Sequence, residues 1–143
     1  MKKYVILFAV LFVLSLGVNI YLYVQKENAE TQVLKDQVHA LRVITQNTIV
    51  GVIENNKVLL KQTLANLQSN KPFRRDDDFA TGDVISKYEH LIKDAAFDKD
   101  PPAGLHAKLS KVFRVLVPLQ ASRHLKEEQI HRAMKKINRI LGD

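Results

Sequence analysis

The sequence predicts an all-α protein: a single N-terminal transmembrane helix, a long helical stalk, then three shorter amphipathic helices packed as a small bundle. Three observations carry this expectation. Tyr4 to Val24 is an apolar run without one charged side chain. From Glu27 onward, apolar residues recur mostly at spacings of three, four and seven, the helical period. No alternating strand pattern or hairpin turn lies between these stretches, and amphipathic helices with short connections bury their stripes against each other.

Composition narrows the class. The chain has 143 residues, a net charge of +7 and no Cys. Disulfide scaffolds, zinc-thiolate centres, cysteine nucleophiles and lipid-modified cysteines are therefore excluded. Five Gly, four Pro and 46% hydrophobic residues argue against collagen-like repeats and global disorder. The residues after Val24 suffice for one small domain, not two.

The expected organisation is a membrane anchor at 1–24, a stalk at 25–70 and a small helical domain at 71–143. As a helix, Tyr4–Val24 would extend about 31 Å, the thickness of the hydrocarbon layer. Tyr4 at one border and Tyr21 and Tyr23 at the other match the interfacial belt. The competing reading is a signal peptide cleaved after Ser15-Leu16-Gly17, which would release a secreted helical protein. Cleavage there would leave an apolar stub, Val18 to Val24, at the new N-terminus, so a retained anchor is preferred. Lys2 and Lys3 precede the run, whereas Lys26 and Lys35 follow it. With the α-amino group, this balance places the N-terminus inside and the body outside.

Glu27 to about Gln68 reads as one helix with apolar positions Leu34, Val38, Leu41, Ile44, Ile49, Ile53, Leu60, Leu64 and Leu67. Thr45, Thr48, Asn55 and Asn56 interrupt that stripe and argue against a strict two-stranded coiled coil; homo-oligomerisation through it stays open. Ser69–Asp83 is a break. Asp83 is read as the N-cap of a helix from Val84 to Phe97, with Val84, Ile85, Tyr88, Leu91, Ile92 and Ala95 on its apolar face. Asp100 followed by Pro101 signals the next helix, which Pro118 should stop. Ser122 is read as the cap of the last helix, which carries Ile130, Met134, Ile137 and Leu141 and ends at Gly142.

The positive charge is local. Residues 25–70 carry net +1, residues 71–102 net −2 and residues 103–141 net +7. Arg132, Lys135, Lys136 and Arg139 share one face of the last helix, and Lys108, Lys111 and Arg114 line one side of the helix before it. These are the candidate partner-binding residues. The partner classes are an acidic protein, anionic lipid or a wall polymer. Nucleic acid is disfavoured: Phe113 is the lone aromatic in 103–141, and no nucleic-acid-binding motif is present. The bland reading is a solvated face that balances the acidic segment.

Catalytic, cofactor and metal residues are not expected. Glu128 and His131 have the spacing used in helical di-iron bundles, but the sequence holds no second copy. His124 beside them does not complete a ligand set. Asp76–Asp78 and Asp98–Asp100 fail the EF-hand register, which needs Gly where Thr81 and Ala103 stand. No phosphate loop, nucleophile elbow or zinc-protease motif occurs. The expectation is a non-enzymatic scaffold or assembly factor on a membrane. The alternative is a helical sensor or regulator with a small-ligand pocket between its helices.

Overall fold

The computed structural model describes residues 2–69, 79–98, 100–101, 103–122 and 124–142, with the side chains of 2–10 and 79–81 left aside. Among the described residues there are five helices and no strand. They are α1 (Lys2–Ile53), α2 (Lys57–Ser69), α3 (Phe79–Phe97), α4 (Leu105–Ala121) and α5 (Glu127–Gly142). The all-α expectation holds. The chain separates into two compact units, Met1–Gln32 and Val33–Asp143, and α1 supplies residues to both.

In the first unit every residue from Leu11 to Glu30 is exposed, including the apolar side chains from Leu11 to Val24. Among the described residues no helix is long and apolar enough to cross a membrane. The expected transmembrane helix is thus unsupported there. The start of that run, Tyr4 to Val10, lies outside the described side chains.

The second unit is a helical bundle. Its part of α1 buries Val38, Leu41, Ile44, Thr45 and Thr48, which recur at three- and four-residue spacing. The two threonines therefore belong to the core face and do not interrupt it. Their hydroxyls are satisfied within the helix, Thr45 donating to the Leu41 carbonyl at 2.7 Å and Thr48 to that of Ile44 at 2.8 Å. Thr63 of α2 does the same to Leu59.

The stalk is not one helix. α1 ends at Ile53, and Asn55 takes the left-handed conformation at φ 51°. The Asn56 N–H donates to the Gly51 carbonyl at 2.8 Å, and the Asn55 N–H to that of Val52 at 3.4 Å. This is a Schellman end, and Asn is the residue after Gly that best tolerates its conformation. Asn56 then caps α2, its side chain accepting from the Leu59 N–H at 3.0 Å. Gly51 permits close approach at this corner: a Cβ there would lie 2.8 Å from Leu60, a buried core residue. Ile53, expected on the apolar face, is 63% exposed at the turn.

Four other boundaries differ from the sequence expectation. Asp83 lies inside α3 rather than capping it. Asp100 and Pro101 do not start α4; Gly104, at φ 80°, occupies its N-cap without a side-chain bond. Pro118 lies within α4, which runs on to Ala121. A proline near the C-terminus costs one N–H, and at an exposed position water can serve the freed carbonyl. Ser122 closes α4 instead of opening α5, its N–H donating to the Leu119 carbonyl at 3.2 Å. α5 starts when the Gln129 side chain reaches back to the Lys126 N–H at 2.9 Å, one half of a capping box.

A lysine joins α2 to the end of α3. Lys57 Nζ donates to the carbonyls of Ala95 at 2.7 Å and Asp98 at 2.6 Å. A cation on otherwise unserved C-terminal carbonyls both bonds them and opposes the helix dipole. Lys57→Met keeps the aliphatic stem and loses both bonds. The expected cost is about 1–2 kcal/mol, read as a lower urea midpoint with an unchanged slope.

Candidate basic interaction surface

α5 separates its residues sharply. Ile130, Ala133, Met134, Ile137 and Leu141 are buried, while Arg132, Lys135, Lys136 and Arg139 are exposed. At 100° per residue the four cations fall within an arc of about 100°, opposite the buried stripe. Glu128 shares that arc and ion-pairs with Arg132, both side chains largely exposed. Such pairs contribute little, so the face stays strongly positive. Glu127 and Glu128 in the first turn and Arg139 in the last oppose the helix dipole.

The cations of α4 lie on a different helix. Leu105, Leu109, Val112 and Leu116 are buried, Lys111 and Arg114 are exposed, and Lys108 is half-buried. These three occupy the flank that leads away from the buried stripe. The α5 residues thus share one exposed face of their helix, and the α4 residues lie along one side of theirs. Leu125 is buried between the two helices, an anchoring position that periodicity does not reveal because it lies in a connection.

Two polar clusters position these helices, and neither was legible in the sequence. Asn138 on the flank of α5 donates through Nδ2 to Asp83 of α3. Lys87 Nζ donates to the Asn138 side-chain oxygen and, at 3.4 Å, to its backbone carbonyl. Lys87 also lies 4.0 Å from Asp83. Asp83 is therefore a docking residue for α5. On α1, Arg42 donates to Gln120 Oε1 near the end of α4, and Gln120 Nε2 donates to His39 Nδ1 at 3.0 Å. The Arg42 guanidinium lies 5.8 Å from the centre of the Phe113 ring. The hydrogen-bonded partners are 51 to 81 residues apart in the chain, a separation no local pattern encodes.

The deepest polar contact joins α1 to α3. The Tyr88 hydroxyl donates to Thr45 Oγ1 at 2.6 Å, and Thr45 passes its own proton to the Leu41 carbonyl. Burial pushes the Tyr88 phenol well above its ordinary range. The buried phenol ties α3 to α1.

Among the described residues no group of three or more His, Asp or Glu side chains could hold a metal ion. Asp76–Asp78 lie outside the described residues. No family model, no curated protein and no solved structure matches the chain.

Proposed function

We propose that the chain is a non-enzymatic, single-pass membrane protein that acts as a scaffold or assembly factor in a membrane-associated complex. Tyr4–Val24 would anchor it, with the body on the extracytoplasmic side. Arg132, Lys135, Lys136 and Arg139 would hold an anionic partner, and Lys108, Lys111 and Arg114 would form a second contact row. The observation that carries the partner reading is the outward face of α5, where four cations are exposed and the apolar residues are committed to the core. A face of one charge sign attracts and orients an oppositely charged partner.

The anchor reading is supported by the uncharged sequence from Tyr4 to Val24 and by the exposure of every apolar side chain from Leu11 to Val24. Exposed apolar surface of that extent marks a lipid or partner contact. The orientation is supported by Lys2 and Lys3 before the run. The non-enzymatic reading is supported by the lack of catalytic sequence motifs.

The test is charge reversal of Arg132, Lys135, Lys136 and Arg139 to Glu, followed by recovery of the anionic partner, protein or lipid, with the chain in native nanodiscs that retain both. Like charges brought together at an interface cost several kcal/mol, so recovery should fall to background. All four side chains are exposed, so the fold should persist with a modestly lower thermal midpoint, since Arg132 leaves Glu128 and Arg139 no longer opposes the helix dipole. Undiminished recovery with an intact fold would remove α5 from the binding surface.

A further inference from the structure

We propose that the anionic partner of the α5 face is the headgroup layer of the bilayer itself, held electrostatically without insertion of the helix. The inference rests on the reading that Tyr4–Val24 sits in a bilayer and that this face binds anions. As a sequence, a basic amphipathic helix reads as a segment that sinks its apolar face among acyl chains. α5 cannot do so while folded. Ile130, Ala133, Met134, Ile137 and Leu141 are buried in the helical core, and no large apolar side chain of α5 is among the exposed ones. The exposed side chains left to meet a surface are polar, with Arg132, Lys135, Lys136 and Arg139 outnumbering Glu128 on the outward arc.

Their arrangement suits a fluid anionic layer. Arg132 to Arg139 spans about 10 Å of helix axis, and the side chains are long, flexible and hydrated. A protein acceptor needs charges at fixed positions, whereas headgroups rearrange beneath a convex row of cations. Each Lys or Arg close to an anionic surface strengthens binding about fivefold. That attraction fades within a Debye length, about 8 Å at physiological salt. A chain anchored in the same bilayer meets its headgroups at high effective concentration, so a weak attraction suffices.

The test uses the full chain, isotope-labelled and reconstituted in nanodiscs of phosphatidylcholine alone or enriched in phosphatidylglycerol. Both carry a gadolinium-headgroup lipid, with a lutetium lipid as the diamagnetic control. The α5 amides from Arg132 to Arg139 should broaden in the phosphatidylglycerol discs and stay sharp in phosphatidylcholine. High salt, or the combined Arg132→Gln, Lys135→Gln, Lys136→Gln and Arg139→Gln variant, should reduce the broadening about fivefold or more. Equal broadening in both discs, or none in either, overturns the inference. Retention of the chain on a soluble acidic polymer without broadening overturns it too, while leaving the wider reading of the face intact. A chain that fails to enter the discs overturns the anchor reading and this inference with it.

Discussion

Leu14→Lys combined with Leu16→Lys is expected to release the chain from membranes into the alkaline carbonate supernatant, while the unaltered chain stays in the pellet. Both positions lie near the middle of Tyr4–Val24. A lysine at the centre of a membrane helix costs about 2.5–3.5 kcal/mol on insertion scales, so the pair shifts partition by several orders of magnitude. The folded body offers no competing explanation. Leu14 and Leu16 are 59% and 46% exposed and are absent from the buried core, so the exchange removes no packing there. Outside a bilayer the same changes should be nearly neutral. Extraction of the unaltered chain by carbonate would overturn the anchor.

Tyr88→Ala is expected to cost about 3–5 kcal/mol, a large share of the 5–15 kcal/mol that holds a typical domain together. Tyr88 is fully buried, and its ring spans the contact between α3 and α1. Tyr88→Phe keeps the ring and removes only the hydroxyl. Thr45 keeps its own bond to Leu41, so the loss should be about 1 kcal/mol. The two phenol environments also predict a pH dependence. The folded phenol titrates above the unfolded one, whose value is 10.0. The unfolded chain therefore releases this proton first as pH rises. Tyr88 gives its full stability below pH 10.0 and loses it above, by about 1.4 kcal/mol per unit of pH until the folded phenol ionises. Urea unfolding across this range measures it, and the difference between the native chain and Tyr88→Phe cancels whatever the two chains share. Parallel profiles would show that the hydroxyl is not desolvated.

The apolar stripes were legible wherever a helix faces the core along its length. Val84, Tyr88, Ile92 and Ala95 on α3, Leu105, Leu109, Val112 and Leu116 on α4, and Ile130, Met134, Ile137 and Leu141 on α5 are buried as their spacing requires. Polar residues within a stripe are ambiguous in sequence because polarity alone does not say where a hydroxyl finds its partner. Thr45 and Thr48 are buried because a threonine on a helix can return its proton to the preceding turn. Asn55 and Asn56 looked like similar interruptions but form the corner between α1 and α2.

Helix content, the uncharged N-terminal run and the grouping of Arg132, Lys135, Lys136 and Arg139 follow from the order of residues alone, since each depends on spacings within one or two helical turns. The break after Ile53, the role of Asp83 with Lys87 and Asn138, and the loss of the α5 apolar face to the core depend on partners distant in the chain. A cap or corner wins over a continuing helix only when packing on both sides rewards it. A basic amphipathic helix is left with electrostatics alone only once its apolar side has been claimed by its neighbours.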